Sequence, residues 1–417
     1  MLAPEPFFEP RGTPFSEYHR IKALGELGHH VDLVTYPIGE GVDLPRLRIY
    51  RSLRPPGVRK VKIGPSATKL VLDALLAATA IRRARRGAYD AIHSHEEAGV
   101  LGVLLARWLG IPHLYDMHSS LPQQLANFRT TRSRLVRAVF DRAERLMIDG
   151  SRVVITICQD LQDTVVAMGA GEKAILIENV MGGDVAPAAG PGRAAVRAAW
   201  GIPADAPLVL YTGTFEPYQG LDLLVDAAAR LAAAQPAARV LVVGGAPDQV
   251  EALRARVEAI GAPVVCTGQR PPEEIPHFVD ACDILASPRI SGTNTPLKIY
   301  SYLRSGRPIL ATRLHTHTQV LSPLVSLLVE PEAEAFAAGL RRLIEQPAEA
   351  HALAAAAKEL ARERYSREAY LARTSEAYHR LMGWAWAPDA ASGRGFDPMA
   401  DTLGSGRRAA GLEQVPR

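Results

Sequence analysis

Residues 287–312 read SPRISGTNTPLKIYSYLRSGRPILAT: a loop, a helix and a strand arranged to present a helix start to an anion. Ser291, Gly292, Thr293 and Asn294 are small and turn-forming. Thr295 is the expected N-cap, and Pro296 falls at the first helical position, where its missing N–H costs nothing. A helix of about ten residues then runs to Gly306, a left-handed stop, and Pro308 prevents a restart. Ile309-Leu310-Ala311-Thr312 is the next buried strand. Such a helix start aims free N–H groups and a positive dipole end into the loop, and Lys298 adds a full charge in the first turn. A diphosphate is the favoured guest. A lysine at a helix start is common, however, so the segment takes its meaning from the chain around it.

Outward from this stretch the same alternation recurs. Upstream come strand Leu208-Val209-Leu210-Tyr211-Thr212, helix 220–234, strand Val240-Leu241-Val242-Val243 before Gly244-Gly245, helix 247–260, strand 263–267, helix 272–281 and strand Ile284-Leu285-Ala286. The first half opens on Leu2-Ala3-Pro4-Glu5-Pro6-Phe7-Phe8, which reads as the end of a first strand whose beginning is absent. Arg11-Gly12-Thr13-Pro14 reads as a tight loop, followed by a helix over 15–27 and a strand at 31–36. Then follow helix 67–86, strand 91–95, helix 97–109, strand 113–118, a basic helix over 131–149 and strand 152–157. The expectation is an α/β chain of two doubly wound sheets in series, each unit roughly 170–180 residues, facing a cleft. Residues 1–183 form the first unit and 184–366 the second, with an Ala/Pro/Gly-rich hinge at 185–195. Helical regions follow at 349–362 and 367–382, the last helix returning toward the first unit within 367–383, and 384–417 reads as a disordered tail.

Composition bounds the function classes. With 417 residues, 47% apolar and 22% charged, the chain is a globular protein too long for one core. A net charge of +4 is mild, few aromatics interleave the cations, and no recognition motif appears, so nucleic acid is not an expected partner. No apolar run reaches bilayer length, and Pro4-Glu5-Pro6 stands where a secretory signal needs an apolar core. Cys158, Cys266 and Cys282 are too scattered for a disulfide frame and read as buried thiols of a cytosolic protein.

With these motifs placed, residues 1–382 resemble a glycosyltransferase of family 4, the retaining, nucleotide-sugar-dependent group with the two-domain GT-B fold. The resemblance rests on Gly28-His29-His30-Val31, Tyr89-Asp90, Gly110-Ile111-Pro112, Asp116-Met117-His118, Glu178-Asn179-Val180, the run from Gly213 to Asp222, Val242-Val243-Gly244-Gly245, Thr267-Gly268 and the run from Pro296 to Pro308. It implies an acceptor-binding first domain and a donor-binding second one, a carbohydrate or lipid-linked acceptor, and no cofactor beyond the nucleotide-diphosphate sugar itself. The family's usual Glu pair falls on Thr293 and Ser301, and its Arg and Lys after the first strand of the second domain fall on Thr214 and Gln219, so this is a variant subgroup. The resemblance makes Gly213, Thr214, Gln219, Arg270, Thr293, Asn294, Thr295, Pro296 and Ser301 donor contacts, with Lys298, Arg289, Arg270 and the amides of Thr295 to Lys298 available to replace the lost charges. It makes His118 the residue beside the transferred sugar and Gly12 and Thr13 the acceptor or phosphate loop.

Other signals weigh less. His93-Ser94-His95 and His315-Thr316-His317 each put two imidazoles on one strand face, with no third ligand at a metal spacing. No Asp-x-Asp occurs, which favours a metal-free mechanism. Residues 51–87 carry ten Lys or Arg against Asp73 alone, either a solvated rim or a peripheral contact at the inner face of the cell membrane. The Arg-rich helix at 132–145 reads as solvent-exposed, partly paired with Asp141 and Glu144. Two rivals stay open: a non-catalytic relative on the same fold, which the lost charges favour, and a sugar-nucleotide epimerase, which the neutral residues at 293 and 301 disfavour.

Overall fold

A computed structural model of the chain describes residues 1–9, 12–58, 61, 67–122, 134–178 and 190–383. Residues 185–189 of the expected hinge and the tail from 384 lie outside the described residues, and the far end of that hinge is already helical, in Arg193–Ala199.

Two parallel sheets follow one another. The first is made of β1 (Leu2–Ala3), β2 (Val31–Thr35), β3 (Leu47–Arg51), β4 (Ile92–His95), β5 (His113–Met117), β6 (Val153–Thr156) and β7 (Ala174–Leu176), in the order β3-β2-β1-β4-β5-β6-β7. The second is made of β8 (Leu208–Thr212), β9 (Arg239–Val243), β10 (Val264–Gly268), β11 (Ile284–Ser287), β12 (Ile309–Thr312) and β13 (Leu327–Val329), in the order β10-β9-β8-β11-β12-β13. Helices cover both faces, so central strands such as β8 and β12 are buried along their whole length and can be Leu/Val/Ile-rich without alternation. In each sheet the strand order reverses beside the first strand, at β1/β4 and at β8/β11, and the loops leaving those carboxyl ends carry ligand sites in doubly wound sheets.

Several boundaries move. Helix Gly12–Glu26 begins at Gly12, so Gly12 and Thr13 form a helical first turn rather than a loop. The helix after Thr295 spans only Lys298–Arg304, because the preceding amides close tighter turns: Ile299 N–H donates to Pro296 O and Tyr300 N–H to Leu297 O. Thr295 caps nothing. His315-Thr316-His317 is a short helix, His315–Thr318, and there residues two apart point to opposite sides. His317 is accordingly buried between Ser287 and Thr312, while His315 is exposed beside Asp160. Glu144 turns inward to Ser120 Oγ and the amide of Leu121 instead of pairing with arginine. All three cysteines are buried free thiols.

Helix Arg367–Met382 crosses back onto the first sheet's side. Thr374 meets Arg20 at 3.1 Å, Tyr378 meets His93 at 2.7 Å, Arg152 donates to Leu381 O at 2.8 Å, and Arg373 pairs with Glu178 at 2.8 Å. Across the crevice the units touch where Asn294 Nδ2 donates to His118 O and where Gln319 Oε1 accepts from Asp160 N.

Candidate functional site

The second unit's wall is made of glycines and two cations. β8 is followed by Gly213, at φ 144°, and Thr214, both exposed. A side chain at Gly244 would stand 1.9 Å from Gly213 O, so only glycine lets these two strand ends approach. Gly220, also left-handed, lies against Pro288 O in the same way. Into this floor comes Lys298. Its Nζ lies 3.7 Å from the centre of the Tyr211 ring and 3.6 Å from where a Gly213 side chain would begin, is inaccessible, and has no hydrogen-bond partner. Burial, with the Arg289 guanidinium nearby, holds its pKa well below the ordinary lysine value.

Arg289 stacks 4.9 Å from the Tyr218 ring centre and braces the loop ahead of the helix, donating to Asn294 O and Thr316 Oγ1 at 2.7 Å each. Its Nε is buried without a partner, and burial lowers its pKa in spite of Tyr218. Arg289 and Lys298 thus repel each other with no carboxylate among their described contacts, an arrangement that a bound anion would stabilise.

The other expected donor contacts divide. Thr293, Asn294, Thr295 and Pro296 lie in the loop that Arg289 and Gln319 hold; Gln319 Nε2 donates to Thr293 O. Gln219 is buried beside Gly220, its Oε1 unpartnered. Ser301 spends its hydroxyl on Lys298 O at 2.8 Å. Arg270 is held apart from this group, paired with Glu274 and 6.0 Å from the Trp200 ring centre.

The first unit's wall is a buried charge network. Asp116, at the end of β5, meets Arg20 at 3.2 Å and His118 at 3.3 Å, all of them buried. Burial pushes the Asp116 carboxyl up, but Arg20 and His118 outweigh it and hold it well below the usual carboxylate range. His118 is the mirror case: burial disfavours its charge, yet Asp116, with Glu96 and Glu5 beyond, raises its pKa above the ordinary 6.5. Behind it Glu17 and Glu5 face each other: burial, with repulsion from Glu5, pushes Glu17 well up, and burial pushes Glu5 to about 7 against the lowering effect of its hydrogen bond with Glu17. Glu96, on the strained φ of 47°, accepts from Ser119 Oγ at 2.7 Å.

A third metal-type ligand for the His93/His95 pair does exist: Asp116, opposite His95 in the neighbouring strand, brings the three donor atoms within 4.8 Å of one another. Part of this donor set is engaged, while His93 Nε2, His95 Nε2 and Asp116 Oδ1 are buried without a hydrogen-bond partner. Arg20 sits on the carboxylate, His93 Nδ1 faces Tyr378 Oη, and His95 Nδ1 faces His118 Nε2 at 3.2 Å. A guanidinium against the carboxylate suits a proton network and not a cation site. Glu5, Glu17 and Arg20 were not legible as site residues. The usable signal was Glu17 and Arg20, three apart on one helix face against the strand ends.

Residues 18–179 match the family model "Glycosyl transferase 4-like domain" and residues 192–360 match "Glycosyl transferases group 1". The chain is 32% identical over 266 residues to 2-deoxystreptamine N-acetyl-D-glucosaminyltransferase of Streptomyces fradiae, covering 60% of this chain and 61% of that one, less than two thirds of its length. It is 27% identical over 337 residues, 74% of each chain, to D-inositol 3-phosphate glycosyltransferase of Kineococcus radiotolerans. Among solved structures, Anabaena Alr3699/HepE in complex with UDP superposes with a TM-score of 0.70 at 18% identity over 92% of this chain and 99% of that one. Sucrose-phosphate synthase from Thermosynechococcus elongatus gives 0.69 at 20% identity over 89% and 94%. At such identities the likeness carries the fold, which is GT-B.

Proposed function

We propose that this chain, which carries a glycosyl transferase 4-like domain followed by a glycosyl transferases group 1 domain, transfers a hexosyl-type sugar from a nucleotide diphosphate to an acceptor hydroxyl. The single observation that carries the reading is the pair of basic side chains Lys298 and Arg289, with no carboxylate among their described contacts, beside the Gly213/Gly244 floor. The weight thereby moves from the helix start, which is shorter than its sequence promised, to two side chains.

A leaving diphosphate accumulates negative charge, and a preorganised donor aimed at such charge contributes about 2.7–4 kcal/mol. Lys298 and Arg289 supply two such donors where the variant has Thr214 and Gln219 in place of the family's Arg and Lys. His118, whose charged form Asp116 favours, would position the transferred sugar from the facing wall. Gly12 and Thr13, at the first turn of their helix, would meet the acceptor. Retention, with the acceptor attacking on the face the diphosphate leaves, and metal independence follow from the family 4 resemblance and the lack of Asp-x-Asp. A carbohydrate or lipid-linked acceptor fits, as in cell-envelope polysaccharide or glycolipid synthesis.

The second reading is a protein that binds nucleotide sugars without turning them over. The neutral residues Thr214, Gln219, Thr293 and Ser301 favour it, and Ser301 already bonds its own helix. A panel of nucleotide sugars, assayed for release of nucleoside diphosphate with and without simple glycan acceptors, separates the two. Release from one donor that rises with acceptor supports transfer; tight binding with no release supports the second reading; release without any acceptor dependence revives epimerase-type chemistry.

A further inference from the structure

We propose that the outer helical layer of the first sheet docks on an anionic lipid bilayer. Helices Ala67–Ala84, Ala98–Leu109 and Arg134–Gly150 lie side by side on one face of that sheet. Leu72 and Leu76 share a core with Leu105, and Gly99 and Gly150 let the third helix approach the second through Met147 and Val103. These contacts fix the inward sides, so the remaining residues face out.

What faces out is unusual. Of the twelve large hydrophobic residues exposed among the described residues, seven lie on these helices and the adjoining Gln159–Ala167. Leu70 and Val71, Leu104 and Trp108, and Leu135 and Val139 form three pairs, the last two spaced four apart and so on one helix stripe. Leu135 is 75% exposed and Trp108 54%, beyond what a packed helix leaves open. Scattered single hydrophobics need no explanation, but a concentration on one face marks a contact surface.

The charges name the partner. Arg82, Arg107, Arg137, Arg142 and Arg145 are exposed on the same three helices, against Asp141 and Asp149 as their exposed acids. Arg85 lies 5.8 Å from the Trp108 ring centre at the layer's edge. Long arginines bury their stems along apolar surface while keeping their heads at the headgroup level, and tryptophan prefers that level too. The basic stretch at 51–87 does not provide this surface by itself. Arg51 is used on Phe7 O, Ile38 O and Glu40 O, Arg83 on Asp32 and Tyr50, and Lys69 on Glu97. No described helix is long and apolar enough to cross a membrane, so the layer would lie on the surface.

The test is flotation of the full chain with vesicles of phosphatidylcholine and of phosphatidylcholine mixed with phosphatidylglycerol. We expect recovery with the mixed vesicles only, reduced at high salt. Partitioning should weaken at least about tenfold both for Arg142→Glu with Arg145→Glu and for Leu104→Asp with Trp108→Asp, at unchanged circular dichroism. Failure of the parent chain to float with anionic vesicles overturns the proposal, and so does equal flotation of parent and both variants. Loss in the variants of a dimer seen by sedimentation velocity also overturns it, since the face would then join copies of the chain.

Discussion

Asn294 donates its side-chain N–H to the carbonyl oxygen of His118, 3.3 Å away on the other side of the crevice. The same side chain accepts from Cys158 Sγ at 3.6 Å, so the loop ahead of Lys298 is latched to the first unit at two points. Replacing Asn294 with alanine removes that latch and little core. One neutral hydrogen bond is worth about 0.5–1.5 kcal/mol net, so kcat/KM should fall up to about tenfold with scarcely altered melting. Steady-state kinetics beside a thermal melt checks this.

Asp116→Asn should do the opposite, costing stability first. It strands the buried Arg20, and breaking such a pair by removing one partner costs about 3–5 kcal/mol. The wild-type contribution of Asp116 is present above the unfolded carboxylate pKa and is lost as pH falls through the lower folded value. His118 behaves inversely: its charged form stabilises fully below 6.5 and ceases to as pH rises through its raised folded value. In the variant the His118 titration should move down, which NMR of the imidazole would show; an unmoved titration contradicts the assigned pair.

Gly244→Ala should damage the donor wall where Gly261→Ala does not. Both glycines are left-handed, at φ 127° and 65°, but an added carbon at Gly244 meets Gly213 O at 1.9 Å while Gly261 faces open space. The Gly261 variant should lose about 1 kcal/mol from its backbone alone, and the Gly244 variant more, together with nucleotide affinity. Chemical denaturation of both, with binding measured in parallel, distinguishes them.

The fold was legible because buried parallel strands announce themselves as apolar runs between glycine and proline stops, as at 208–212 and 309–312. Of the edge strands only β10 was: β3, LRIYR, is polar at alternate positions and only half-buried, and β7 and β13 are three residues each. Within the site, Lys298, Arg289 and the Gly213 loop were readable because each sits in a short local motif. The Asp116–Arg20–Glu17 network was not, since its members come from β5 and a helix nearly a hundred residues away, and Glu17 looks like any helical surface acid. His315-Thr316-His317 misled because alternation of polar residues carries no period that separates a strand from one helical turn.

Anion binding should take up a proton. Lys298 is held well below 10.5 by burial and by Arg289, and a diphosphate beside it favours the charged form. Between the lowered value and 10.5 the complex therefore draws up to one proton, and affinity weakens as pH rises. Titrations in buffers of different ionisation enthalpy read that proton count, and its disappearance in Lys298→Met would assign it.

The most direct measurement is isothermal titration of the full chain with UDP and other nucleoside diphosphates, wild type against Lys298→Ala and Arg289→Ala. Saturable binding of a preferred diphosphate is expected, weakened at least about tenfold in each variant, with the melting temperature unchanged in Lys298→Ala. Equal affinity in all three proteins would show that these two cations do not form the diphosphate site.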